Sequence, residues 1–404
     1  MWGLDRLWPE MFLMGVALGQ RWRGVGVVGL LAYGAGVSWQ VGETSFLLSL
    51  SSQSVPFVAL MVGLTVLAWL CMPLRGGASW AMILQVASYG LLLRSTHLAF
   101  SWALLEVAAL SGYFWVFTIG SREGRLAAAI RYFTWSVMGS ALLLLGIGSR
   151  LAIGKGLQYP LESGGGVADA LLGWGWAIKM GFIPFHFWLI GVYRVIPLVW
   201  AAWFSVVPKG ALLFNLLALL PPEGGLQSGI FYFLGAVSLV GGYALAWRGS
   251  TLADMLFWGT FSQVAYITLV SIPGAQPAGR IFWIVYGAAS FLSFLYVERP
   301  WRGRVGNAVG LLLLANLAGL PPVAGFWVKF RLFWEAFLRM EGNMRILLVG
   351  AAGLATIAGF MVYGHVLWRL WQEPSSVSVQ PAFWWKCLYL AGALGLLGVG
   401  LWGF

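Results

Sequence analysis

Apolar residues run through this chain in long blocks, and short breaks of Gly, Pro or charged residues separate the blocks. Most blocks approach the length of about 20 apolar residues that a helix needs to cross a bilayer. The pattern therefore predicts an all-α polytopic membrane protein with about 14 transmembrane helices. The predicted spans lie near residues 9–20, 24–42, 55–73, 79–96, 98–119, 126–149, 169–193, 197–220, 228–247, 252–272, 279–296, 305–337, 345–369 and 382–403.

Composition supports a membrane location and excludes a soluble class. Of the 404 residues, 60% are hydrophobic and 9% are charged, whereas a soluble globular chain carries roughly 25% charged residues. In a soluble protein the net charge of +11 would indicate a nucleic-acid partner. Here the basic residues lie mostly in the breaks between apolar blocks, so we expect no nucleic acid and assign most of this charge to membrane topology.

The basic residues favour one side of the predicted topology. Connections that follow odd-numbered spans carry more of them than connections that follow even-numbered spans. The positive-inside rule therefore places the odd connections inside and both termini outside, which agrees with the requirement that an even number of spans puts both termini on one side. The odd connections hold Arg21, Arg23, Arg75, Arg122, Arg125, Arg194, Arg248, Arg299, Arg302, Arg304 and Arg369, and the even ones hold Arg94, Arg150, Lys155, Arg280, Arg339 and Arg345.

Two predicted spans contain helix-breaking residues close to a lysine. Residues 176–188 hold Lys179 and Pro184, and residues 318–331 hold a Pro-Pro pair and Lys329. Proline removes a backbone donor and interrupts a helix, and paired interruptions in two halves of a membrane chain indicate an inverted-repeat transporter. We therefore predict two inverted five-helix repeats, at 79–220 and 228–369, with N-terminal helices at 1–78 and a C-terminal helix at 370–404.

Four charged residues lie where charge is costly. Glu106, Lys179, Lys209 and Lys329 are inside apolar blocks, and each costs about 2.5–3.5 kcal/mol at the centre of a span on insertion scales. A carboxylate close to Lys179 would stabilise its ammonium, and a buried lysine can load and release a proton. These residues therefore indicate proton relay rather than the making or breaking of covalent bonds.

Three of the candidate residues also have a structural interpretation. Lys329 could extend to the membrane surface, because Arg331 and Glu335 follow it closely. Glu106 could form a purely structural ion pair with a lysine. His186, in the first interrupted segment, could be a packed, hydrogen-bonded core histidine or part of a proton path.

Several strings of residues resemble a known family, the antiporter-like subunits of respiratory complex I. The resemblance covers roughly residues 79–340. It is greatest to the subunit 2, or N-type, members, because a lysine occupies the second interrupted segment and no C-terminal extension for a long lateral helix is expected. The strings are Leu104-Leu105-Glu106, Arg131-Tyr132-Phe133, Ile178-Lys179 with Pro184-Phe185-His186-Phe187-Trp188, and Leu317-Ala318-Gly319-Leu320-Pro321-Pro322 with Gly325 and Lys329.

The resemblance implies a proton-translocating role in NADH:ubiquinone oxidoreductase. Glu106, Lys179, Lys209 and Lys329 would transfer protons, and His186 is a further candidate. NADH oxidation and quinone reduction would take place on other subunits, so this chain would be part of an enzyme without carrying its redox centre.

The resemblance also implies the surroundings of the chain. We expect no cofactor and no metal on it, since the sequence has no Walker, CxxC or HExxH motif. NADH, FMN, iron–sulfur clusters and quinone would be bound by other subunits of the complex. Its expected partners are subunit 4-type and subunit 4L/6-type neighbours of the membrane arm, and membrane lipids. The expected location is the mitochondrial inner membrane, with the bacterial plasma membrane as the alternative.

The chain departs from the family pattern at two motifs. The family string PFHFWxPDVY continues here after Trp188 without its Pro-Asp pair. In the family string LAYSSIAHxGY the histidine is replaced by Gln263, and the preceding basic residue is replaced by Asp254. The second departure argues against a histidine relay at that position.

Two other hypotheses remain open. An Mrp-like cation/proton antiporter subunit would share the same motifs. A structural membrane-arm subunit with an inactive channel would also keep the fold, but its buried lysines would lie in dry, fully paired surroundings.

Overall fold

Helices make up most of the described chain in the computed structural model, which confirms the predicted all-α class. Within the described residues there is no β-strand, apart from a single antiparallel bridge between His97 and Gln158. The structure describes residues 30, 32–33, 54–74, 76–121, 123–162, 165–219, 229–270, 272, 275–301, 303–339, 342–372 and 381–402.

The chain divides into two compact units. The first unit consists of Met1–Met180 and Phe187–Pro221, and the second consists of Gly181–His186 and Pro222–Phe404. The four-part division expected from the sequence, with its five-helix repeats, stays a prediction.

The first unit contains the helices α1 to α7. Helix α7 is the most enclosed helix of this unit, because 94% of its most apolar 18-residue stretch is buried. The bounds are α1 Val55–Cys71, α2 Gly77–Arg94, α3 Leu98–Ile119, α4 Arg125–Ala152, α5 Gly166–Met180, α6 Phe187–Val195 and α7 Leu198–Leu219.

The second unit contains the helices α8 to α15. Helix α10 is a single turn that follows α9 after one residue. The bounds are α8 Gly229–Ala246, α9 Leu252–Ala265, α10 Ile267–Val270, α11 Gln276–Glu298, α12 Arg304–Ala318, α13 Ala324–Arg339, α14 Gly342–Gln372 and α15 Phe383–Trp402.

The helices follow the predicted spans closely from 55–73 to 382–403. The predicted spans 9–20 and 24–42 lie outside the described residues, except for residues 30, 32 and 33. Among the residues that the structure describes, six helical stretches are long and apolar enough to cross a membrane, which supports a multi-pass membrane protein. They are Leu98–Ile119, Arg125–Ala152, Leu198–Leu219, Gln276–Glu298, Ile346–Gln372 and Phe383–Leu401.

Both predicted helix interruptions are present. Span 169–193 is split into α5 and α6, and span 305–337 is split into α12 and α13. A third interruption separates α9 from α10 at Tyr266, where the sequence predicts one continuous span. The backbone forms i→i+3 hydrogen bonds there in place of the α-helical pattern, and Tyr266 N–H donates one of them to the Gln263 carbonyl. Neither Gly nor Pro marks this position, so the apolar pattern did not indicate it.

Small residues bring α4 and α5 into close contact. A Cβ atom added at Gly175 would lie 2.6 Å from Leu143 Cγ, and one added at Gly139 would lie 3.1 Å from Lys179 Cγ. Glycines of this kind let helices in membranes approach closely. The contact therefore fixes Lys179 of α5 against the face of α4.

Candidate functional site

Lys179 lies at the interrupted end of α5. It is in the last turn of that helix, and Gly181 follows with φ +75°, a conformation that favours glycine. The last carbonyls of a helix carry partial negative charge, so a lysine ammonium is stabilised there. The helix break therefore provides part of the environment that this buried charge needs.

A carboxylate provides the rest of that environment. Lys179 Nζ lies 3.2 Å from Glu106 Oε1 of α3 and donates to Ser136 Oγ of α4 at 3.3 Å. The Ser140 hydroxyl also donates to Glu106 Oε1. The side chains of Lys179 and Glu106 are 5% and 25% exposed. The structure thus brings two of the four predicted residues together, and the serines satisfy further hydrogen bonds of the pair.

A small cavity lies beside this ion pair within the first unit. Its volume is about 40 Å³, and both Lys179 and Lys209 line it. One water needs roughly 10–15 Å³ of such a cavity, so it has room for about three waters. Tyr89, Tyr132 and Ser136 supply polar groups to its wall. Both lysines therefore line one space that is large enough to hold water.

Lys209 reaches this cavity from the middle of α7. It is 2% exposed, and its Nζ lies 5.7 Å from the centre of the Tyr193 ring, within reach of a cation–π interaction. Pro208 lies directly before it inside the helix and donates no backbone hydrogen bond. The sequence placed Lys209 deep in a span, and the structure agrees.

The second interruption holds Lys329 within the second unit. Helix α12 ends at Ala318, and Gly319 follows with φ +79°. Lys329 Nζ donates to the carbonyl oxygen of Leu317 at 2.6 Å and to that of Ala318 at 3.4 Å. Carbonyls in the last turn of a helix have no partner within that helix, so they are available as acceptors.

The surroundings of Lys329 are buried. Lys329 is 3% exposed, and its Nζ lies 5.2 Å from the centre of the Tyr266 ring. The alternative in which Lys329 extends to the membrane surface is therefore wrong. Tyr266 is the residue that separates α9 from α10, and the sequence did not indicate it as part of the site.

His186 belongs to the second unit. It is 4% exposed, and its ring packs against Trp258 and Phe261 with centroid distances of 5.3 and 5.4 Å. This packing is typical of a core histidine, so a role in proton transfer stays a prediction. Among the residues that the structure describes, no group of three or more His, Cys, Asp and Glu side chains could hold a metal ion.

A family model described as "NADH:quinone oxidoreductase/Mrp antiporter, TM" matches residues 95–302. The chain belongs to this family. The match includes Glu106, Lys179 and Lys209, whereas Lys329 lies beyond it. The family assignment therefore rests on the part of the chain that holds the ion pair and the cavity.

Relatives named as subunits of NADH-quinone oxidoreductase agree with that assignment. NADH-quinone oxidoreductase subunit N of Geotalea uraniireducens is 29% identical over 266 residues, which cover 58% of this chain and 56% of the relative. The chain spans between 56% and 58% of the length of this relative and two others of the same name.

Two solved structures show the same fold. A chain of respiratory complex I from Thermus thermophilus has a TM-score of 0.83 and 22% identity, with coverage of 98% of this chain and 97% of that one. A chain of the Mrp complex from Dietzia sp. DQ12-45-1b has a TM-score of 0.71 and 15% identity, with coverage of 98% and 90%. At these identities the likeness concerns the fold alone.

Proposed function

We propose that this chain is a proton-translocating subunit of the membrane arm of NADH:quinone oxidoreductase. The observation that carries the proposal is the Glu106–Lys179 ion pair beside a water-sized cavity that Lys209 also lines. The family and the relatives named subunit N support it. NADH oxidation and quinone reduction take place on other subunits, and this chain contributes the proton path.

The ion pair sets the first step of the proposed mechanism. Lys179 keeps its proton while the Glu106 carboxylate lies 3.2 Å away, because the opposite charge stabilises the ammonium. When that interaction weakens, the buried ammonium is costly, and Lys179 releases its proton through cavity water to Lys209. Electron transfer occurs elsewhere, so neighbouring subunits must act on the pair through conformation or electrostatics.

Lys329 is proposed to exchange protons with the outer side of the membrane. Its ammonium is bound by helix-end carbonyls rather than by a carboxylate. These carbonyls stabilise the protonated form while the end of α12 stays in place. A displacement of that helix end would release the proton.

The finer organisation is part of the same proposal. The two inverted five-helix repeats are taken to be 79–220 and 228–369, each with one interrupted helix. Subunit 4-type and subunit 4L/6-type chains and membrane lipids are the proposed neighbours. The sequence favours the mitochondrial inner membrane, whereas the bacterial sources of the relatives favour the plasma membrane of a bacterium.

An Mrp-like cation/proton antiporter subunit is the second candidate, because the fold also matches a chain of an Mrp complex. Purification of the tagged chain in mild detergent, with identification of the co-purifying proteins, separates the two. Quinone-reductase subunits are expected with it. Sodium-dependent proton exchange without such subunits would support the antiporter instead and contradict the proposal.

Filling the cavity is expected to slow proton transfer without removing a charge. Ala108 of α3 is 2% exposed and lines the cavity, so Ala108→Leu adds three carbons to a space of about 40 Å³. We expect proton translocation by the complex in vesicles to fall about threefold or more, because water is displaced from between the lysines. The fall is measured with a pH-sensitive dye during quinone reduction.

Ala103→Leu is the matched control for this substitution. Ala103 lies on the exposed face of the same helix, so the added carbons point away from the buried side of α3. Translocation should stay at the wild-type rate in this variant. Equal rates for the Ala108 variant and the wild type in a fully assembled complex would show that the cavity is not on the proton path.

A further inference from the structure

Gln263 of α9 lies at the position where the resembling family has a histidine, and it is completely buried. Its Nε2 donates to Tyr243 Oη and to the Leu317 carbonyl oxygen, both at 2.7 Å. A carbonyl oxygen can only accept a hydrogen bond, so the nitrogen end of the amide must face Leu317. The orientation of this side chain is therefore determined by its partner.

The same carbonyl binds the lysine. Leu317 O accepts a hydrogen bond from Lys329 Nζ at 2.6 Å as well as the one from Gln263. One oxygen at the end of α12 thus has two donors, one charged and one neutral. Gln263 does not itself carry a charge or exchange a proton in the physiological range, because a carboxamide does not titrate there.

Two aromatic residues hold the glutamine in place. The Tyr243 ring, whose hydroxyl accepts from Gln263, packs edge-on against Tyr363 with centroids 5.8 Å apart. Glycines provide the space for both rings. A Cβ at Gly359 would lie 2.8 Å from Tyr243 Cζ, and one at Gly259 would lie 2.7 Å from Tyr363 Oη. The glutamine is therefore supported by a close-packed cluster on α8, α9 and α14.

We propose that Gln263 is a positioning residue for Lys329. Gln263 holds the Leu317 carbonyl where that carbonyl binds the lysine ammonium, and Gln263 takes no proton itself. The inference rests on the proposed proton-carrying role of Lys329. It differs from a relay, in which the residue at this position would accept the proton in turn.

A double-mutant cycle tests the inference in the assembled complex in vesicles. Gln263→Leu should lower proton translocation about fivefold, the change that one hydrogen bond produces. In a Lys329→Met background the same substitution should have no further effect, because a residue that acts only through Lys329 has nothing left to position. Gln263→His keeps an N–H donor and should retain most of the wild-type rate. Gln263→Met replaces the leucine variant if the latter does not assemble.

Tyr296→Phe is the control for the loss of a buried hydrogen bond in the same unit. The Tyr296 hydroxyl donates to the Gly306 carbonyl at 3.0 Å, away from the Lys329 contacts described above, and its loss should leave translocation unchanged.

An independent, multiplicative loss from Gln263→Leu in the Lys329→Met background would show a merely structural role and overturn the inference. A wild-type rate for Gln263→Leu would overturn it as well. A wild-type rate for Lys329→Met alone would instead contradict the proposed function of Lys329.

Discussion

Replacing Lys179 with methionine should lower both proton translocation and quinone reduction by the assembled complex about tenfold or more. Methionine has a similar length but carries no proton, so the proposed path through the first unit loses its first carrier. Glu106 would also lose the ammonium that lies 3.2 Å from its Oε1, and a carboxylate left without its partner at this depth is costly. The two rates are measured in vesicles with a pH-sensitive dye and by quinone absorbance.

Lys155→Met is the matched control for the loss of a lysine in the same unit. Lys155 pairs with Glu162 at 3.0 Å, and both side chains are exposed, at 39% and 80%. Exposed pairs of this kind contribute little to stability, so both rates should stay at their wild-type values. If the Lys179 variant assembles fully and keeps full activity, Lys179 has no part in proton transfer.

Lys329→Met is expected to have an effect of similar size, about tenfold or more on proton translocation, because the second unit would lose its proposed proton carrier. The Ala318 carbonyl would also lose the lysine that binds it, whereas the Leu317 carbonyl keeps the hydrogen bond from Gln263. A buried acceptor that loses its partner costs about 1–3 kcal/mol, so the end of α12 is expected to be less stable. Assembly is therefore followed by native gel electrophoresis beside the activity measurement.

Lys386→Met on α15 is the control for this second substitution. Lys386 Nζ lies 5.7 Å from the centre of the Trp301 ring, and the residue is partly exposed. An exposed cation–π contact contributes roughly 0.5–1 kcal/mol, so we expect normal assembly and normal rates. Normal translocation by an assembled Lys329 variant would restrict the proton path to the first unit.

Much of the fold could be predicted from the sequence, because hydrophobic length and helix-breaking residues are local signals. The interruptions at Pro184 and at Pro321-Pro322 were predicted for this reason, and α5, α6, α12 and α13 confirm them. The interruption at Tyr266 could not be predicted, since i→i+3 bonds rather than Gly or Pro produce it. Tertiary packing decides such positions, and a single sequence does not show it.

The candidate site shows the same limit. Rarity of charge in apolar blocks was enough to select Glu106 and the buried lysines. It was not enough to show that Ser136 and Ser140 complete the ion pair, because serines are common in membrane helices and their partners depend on the helix contact. Nor could the sequence show that Lys329 is bound by carbonyls, since every residue carries one.

Lys179 and Lys329 have different kinds of partner. The partner of Lys179 is a carboxylate, which a single proton can neutralise and a side-chain rotation can withdraw. The partners of Lys329 are peptide carbonyls, which neither titrate nor turn independently of the helix that carries them. In the proposed mechanism the first lysine can therefore lose its partner when a charge arrives from a neighbour, whereas the second loses its partners when the end of α12 is displaced.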